Sequence, residues 1–211
     1  MLEKRRWLAA LSLCVAAIFN SSEPLAQEPD YTDANAYILQ AEMALQREDY
    51  LMAVREYGKA AKLTDNPEVA RKATVAGLAY GFDAEALAAA KRWLQLDPKN
   101  DEARVYLAQL SLRAGDTRTA RRHFSHLVEK GDHSPGQQLA MLAQFMSDEP
   151  NREEADKLLR ALAKPYPDDA KAHHAVATLA LRSGDVEHAL ERISRALELD
   201  PENLSIRLLY A

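Results

Sequence analysis

One alanine recurs along this chain at a nearly constant interval: Ala53, Ala86, Ala120, Ala155 and Ala189 stand 33, 34, 35 and 34 residues apart. A period of that length kept through five copies restricts the fold to an array of one supersecondary motif, because each copy must bury its apolar face against the next. The residues around each alanine show which motif repeats. Four positions on stand Tyr57, Ala90, Phe124, Leu159 and Ile193, and three beyond them Ala60, Trp93, Leu127, Leu162 and Ala196. Steps of four and three hold side chains on one stripe of an α-helix, with the small residue where another helix must come close. Twelve positions before each alanine lies another small residue or threonine, Ala41, Thr74, Ala108, Ala143 or Ala177, which marks a first helix ahead of the second.

The joints between the helices are legible too. Gly81, Gly115 and Gly184 supply a left-handed residue to end the first helix, and Asp83, Asp116 and Asp185 follow as expected N-caps of the second, with Pro150 and Asn151 in the fourth copy. Pro98, Pro167 and Pro201 stop the second helix, with Pro67 slightly late in the first copy and Asp132 in the equivalent place of the third. Composition agrees with a helical array: 38 Ala and 30 Leu stand against 18 residues of Val, Ile and Thr together.

This spacing of small residue, Gly, Ala, aromatic or aliphatic, and Pro is similar to the tetratricopeptide repeat. The resemblance covers residues 34–211, with repeats at about 34–66, 67–100, 101–135, 136–169 and 170–203 and a partial sixth at 204–211. It implies an all-α fold, a right-handed superhelical solenoid of antiparallel helix pairs. It also implies that the first helices line a concave groove. Carried over by repeat position, the expected partner-binding residues are Ile38 and Glu42, then Arg71 and Val75, then Val105, Gln109 and Arg113, then Gln144, and last Lys171, His174, Thr178 and Arg182. Arg71, Arg113, Lys171 and Arg182 would form an intermittent basic line among apolar spots, suited to a protein or peptide partner with apolar anchors and acidic groups. The carboxylate clamp of chaperone-binding repeats, which needs Lys and Asn at set positions of three successive repeats, has no match. Leu204, Ile206, Leu208, Leu209 and Tyr210 expect cover, from which we expect this sequence to be the N-terminal part of a longer protein.

Ahead of the repeats, Lys4, Arg5 and Arg6 precede an uncharged apolar run from Trp7 to Phe19 and a polar stretch from Asn20 to Glu28. That order is the order of an export signal, and the run of 13 residues is too short to span a membrane, which takes roughly 20. The expected parts are a signal peptide over 1–26, a linker over 27–33, and an exported, periplasmic mature chain without a transmembrane span. The alternative is an outer-membrane lipoprotein with its lipid anchor at Cys14, although Leu13 departs from the small residue that such a cleavage site requires.

Catalysis finds no constellation. His123, His126 and His133 can be drawn as a metal site, but Arg122 beside His123 disfavours a cation. The loop Gly131-Asp132-His133-Ser134-Pro135-Gly136 contains three residue types of a hydrolase triad, yet consecutive loop residues cannot hold relay geometry. No glycine loop cradles a phosphate, and a formal net charge of -5 argues against nucleic acid. The expectation is a chain without enzyme activity, metal or cofactor. Two functions stay open. In its alanine-rich repeats and export signal the chain resembles bacterial cell-envelope repeat proteins, some of which present substrates to a processing protease, and this implies a scaffold or adaptor. The other is a structural or oligomerisation module for a further C-terminal domain.

Overall fold

The computed structural model describes residues 33–210; the expected signal peptide, all but the last residue of the linker, and Cys14 lie outside them, as does Ala211. Eleven helices and no strand occur among the described residues. They run in pairs: α1 (Ala34–Gln46) with α2 (Tyr50–Leu63), α3 (Pro67–Ala79) with α4 (Asp83–Leu96), α5 (Asp101–Arg113) with α6 (Thr117–Lys130), α7 (Pro135–Met146) with α8 (Arg152–Ala163), and α9 (Ala170–Ser183) with α10 (Val186–Leu199). A short α11 (Leu204–Tyr210) follows them.

The periodic alanines sit where the pairs touch. Ala53, Ala86, Ala120 and Ala155 are fully buried and Ala189 nearly so, and their first-helix counterparts Ala41, Thr74, Ala108, Ala143 and Ala177 are buried as well. Against them pack the large residues of the second helices, among them Tyr57, Trp93, Phe124, Leu159 and Ile193. The position four before each periodic alanine is the N-cap of the second helix. There Asp49, Asp116, Asn151 and Asp185 accept the backbone N–H three residues on and satisfy a donor the helix leaves open. In the second pair that position is Phe82, which has no cap to offer, and Asp83 is the first helical residue rather than the expected cap. The reason is one residue more between Gly81 and its aspartate than between Gly115 and Asp116 or Gly184 and Asp185.

The residue before the cap turns the chain. Gly81, Gly115 and Gly184 have φ of 78°, 79° and 90°, and in the first pair Glu48 takes the same place at φ 61°, a conformation that disfavours a side chain. In the fourth pair the place belongs to Pro150, whose ring fixes φ at about -65° and forbids that turn. The chain goes round by a wider path through Ser147, Asp148 and Glu149, and both Ser147 and Glu149 are buried on the way.

The fourth pair also packs differently. Elsewhere the two helices of a pair lie along each other, whereas α7 lies more closely along α9 than along its own partner α8. Gly136, in the first turn of α7, allows this: a Cβ there would fall 2.2 Å from a carboxylate oxygen of Asp169, the N-cap of α9. Drawn toward α9, α7 touches α6 less than α3 touches α2 or α5 touches α4. The main core runs beneath, from Ala108 and Phe124 through Leu139 and Leu159 to Leu179.

Candidate partner-binding face

Among the residues expected to line a groove on the first helices, the structure separates those that are open from those already engaged. Ile38 is half-buried against the first core clusters. Glu42 accepts from the Tyr57 hydroxyl at 2.5 Å and from Lys72 Nζ at 3.0 Å. Those two bonds, the tyrosine's first, hold its carboxyl below the usual range, while burial and the same bond push the Tyr57 phenol well up. Val75 and Val105 are half-buried, Gln144 is exposed, and Thr178 spends its hydroxyl on the His174 carbonyl oxygen. His174 is half-buried, and desolvation lowers its pKa, so it is neutral near pH 7.

The expected basic line is broken. Arg71 is held by Glu68 one turn earlier in a two-pronged pair, at 2.8 and 2.7 Å. Arg113 is locked into the fold: its Nε donates to Glu149 at 2.8 Å, and its Nη1 reaches Asp83 at 3.5 Å. Gln109 donates to the same Glu149 at 2.5 Å and is itself buried. Gln109 and Arg113 therefore belong to a cluster around a carboxylate only 3% exposed, where their polar groups are already engaged. Only Lys171 and Arg182 remain as exposed cations of that line, with no ion pair among the described residues.

A different feature occupies the first-helix face between repeats 3 and 4. A cleft of about 280 Å³ opens there between α5 and α7, beside Leu127 of α6. Val105, Leu142 and Phe145 form its apolar floor, continuous with the main core, and Met141 stands over it 56% exposed. Leu127, Asp101, Glu102, Asp132, His133 and Gln138 complete the lining, which holds no lysine or arginine. Of these Val105 was in the expected set, and Glu102 stands at another groove position of the same repeat. Met141 and Phe145 were missed, although their spacing of four puts two large apolar residues on one face of α7.

His123, His173 and Ser134 make contacts within the fold. His123 is buried with its ring nitrogens toward Arg104 and Arg122, at 3.4 and 3.3 Å, and burial first, then those cations, lower its pKa. His173 donates from Nε2 to the Pro167 carbonyl at 2.8 Å. Ser134 is the N-cap of α7, in a reciprocal capping box with Gln137. Among the described residues no group of three or more His, Cys, Asp or Glu is placed to hold a metal ion, and no helix is long and apolar enough to cross a membrane.

Comparison with known proteins finds the repeat over part of the chain. The family described as Tetratricopeptide repeat matches residues 84–145, from the start of α4 to Phe145 of α7. Over that stretch the chain is similar to the tetratricopeptide repeat. No curated protein matches the chain in sequence. Similar solved structures include MamA residues 41 to the end from Desulfovibrio magneticus RS-1 (18% identity, 81% of this chain and 97% of that one, TM-score 0.44). Another is YrrB, described as a TPR protein with an unusual peptide-binding site (18% identity, 85% and 92%, TM-score 0.44). A third is a tetratricopeptide repeat protein from Parabacteroides merdae ATCC 43184 (15% identity, 84% and 70%, TM-score 0.45).

Proposed function

We propose that this chain, whose residues 84–145 are similar to the tetratricopeptide repeat, is a non-enzymatic scaffold that captures an extended or helical segment of another protein on its first-helix face, in the bacterial cell envelope. The observation that carries this reading is the cleft between α5 and α7, an apolar floor open to solvent on the face where successive first helices stand side by side. A solenoid buries its apolar stripes between neighbours, so an apolar floor left uncovered within the stack has a use other than stability. Export is supported by the order of the basic head, short apolar run and polar stretch over residues 4–28.

The test is capture. Photo-crosslinkers placed at Met141 and Gln144 should trap a discrete partner in envelope fractions, and the same groups at exposed positions of α6 should not. Equal trapping from both faces refutes the assignment. N-terminal sequencing of the protein from its source should find a start close to Gln27, and intact Met1 on a cytosolic pool would end the envelope reading.

A second reading, an oligomerisation module, is favoured by the face of α9, α10 and α11, where Leu181, Val186, Leu190 and Leu208 are each about half exposed or more. It predicts a sedimentation coefficient that rises with protein concentration, and a monomer throughout would exclude it.

A further inference from the structure

We infer that the cleft between α5 and α7 selects a partner segment in which one large apolar side chain is flanked by lysine or arginine, the opposite charge from that expected of the basic line Arg71, Arg113, Lys171 and Arg182. The inference rests on the reading of the first-helix face as the partner surface and deepens it. Size argues for a side-chain anchor: a cleft of about 280 Å³ lies just under the range of about 300–1,000 Å³ usual for small-molecule sites. The floor of Val105, Leu142 and Phe145 offers only apolar contact, and Met141, unbranched and exposed, can fold over whatever enters.

The rim argues for positive charge on the partner. Glu102 and Asp132 are exposed and have no ion pair among the described residues, and Asp101 reaches only Arg104 Nε, at 3.7 Å. Among the described residues the lining holds no lysine or arginine; Arg71, whose charge Glu102 does feel, keeps its hydrogen bonds for Glu68, and Arg113 keeps its own for Glu149. A segment with an acidic flank would bring like charges together over a low-dielectric floor, whereas a basic flank replaces solvent with ion pairs at the rim.

The experiment selects 12-residue peptides from an unbiased displayed library on the full chain. Winners are then measured by fluorescence anisotropy against the wild type, Glu102→Lys/Asp132→Lys, and Val105→Trp, which fills the floor; circular dichroism checks that the variants keep their helices. Selected peptides should carry an apolar residue between basic ones. Their affinity should fall about tenfold with the charge reversal, as expected for the loss of two exposed pairs, and it should weaken as salt is raised. Filling the floor should abolish binding of the same peptides. Acidic winners, or basic ones indifferent to both variants, overturn this inference, and if acidic winners lose affinity in Lys171→Glu/Arg182→Glu the first-helix face stands as the partner surface without it. Selection of no peptide on that face overturns both.

Discussion

The cluster around Glu149 makes a quantitative test of how the fourth turn is held. Its carboxylate is 3% exposed and the Arg113 side chain 23%, so the pair is largely removed from water and its parts are not interchangeable. Arg113→Met leaves a buried carboxylate with one neutral donor, Gln109 Nε2, and strands the charge that the guanidinium compensated. Complete burial would make that loss about 3–5 kcal/mol; the partial exposure of the arginine lowers it to about 2–3 kcal/mol. Glu149→Gln is milder. The guanidinium keeps an oxygen to donate to and keeps Asp83, and the buried Gln109 Oε1, which has no partner, gains an amide donor once that side chain turns over. The expected cost is about 1 kcal/mol. Arg113→Met with Glu149→Leu removes both charges and should recover to within about 1 kcal/mol of the wild type. Urea unfolding followed by circular dichroism at 222 nm measures all three, and the melting temperature of the arginine variant should drop by about 5–10 °C. Equal losses for Arg113→Met and Glu149→Gln, or a double variant no better than Arg113→Met alone, would show that the carboxylate is not held by this pair.

Further outcomes follow from other contacts. Ala120→Leu should lose about 1–3 kcal/mol in thermal melts because Ala120 is fully buried, and Ala189→Leu should lose less at 6% exposure; unchanged stability of both would refute the helix register. Glu48→Gly should stabilise the first pair by about 0.5–1 kcal/mol in urea titrations, since the residue is exposed and its φ of 61° is one that glycine adopts freely; a loss would mean that the side chain has a role in the turn. The raised Tyr57 pKa means that the unfolded chain releases this proton first, so its stabilising effect is complete below the ordinary tyrosine pKa of about 10 and is lost as pH rises above it. Ultraviolet titration should find one phenol that ionises after the others, absent in Tyr57→Phe, and indistinguishable curves would contradict the burial of Tyr57 together with its bond to Glu42.

What the sequence shows of this fold is what is local and periodic. The spacing of Ala53, Ala86, Ala120, Ala155 and Ala189 places every helix pair, because burial of a stripe depends on intervals of three and four within one helix, and the glycines at 81, 115 and 184 turn as their lack of a Cβ permits. The capping role of Asp83 fails for a reason equally local, the one extra residue after Gly81. The face is harder to read because charge partners are distant in sequence. Gln109 and Arg113 sit at positions that face a groove in regular repeats, but they meet a carboxylate 40 and 36 residues later, at a turn that Pro150 had already made irregular. The cleft is likewise a product of how α7 settles on α9, which Gly136 allows and no single-helix pattern announces.

At the periodic alanines a helix meets its neighbour through a methyl group, and a methyl has no rotamer to choose. At Gly77 even that is missing, since a Cβ there would lie 2.8 Å from the Cβ of Ala86. Helix spacing at that contact is thus fixed by the backbones themselves, with no side-chain freedom surrendered there. The pairs are joined in series, so a small tilt introduced at one contact is handed on to every pair that follows, as an error in one hinge of a folding ruler displaces its far end. A single added methyl at Gly77 would move Lys171 and Arg182, nearly a hundred residues away and touched by nothing in that contact, relative to Glu42. Evolution can re-aim the far end of such a molecule without altering any residue there.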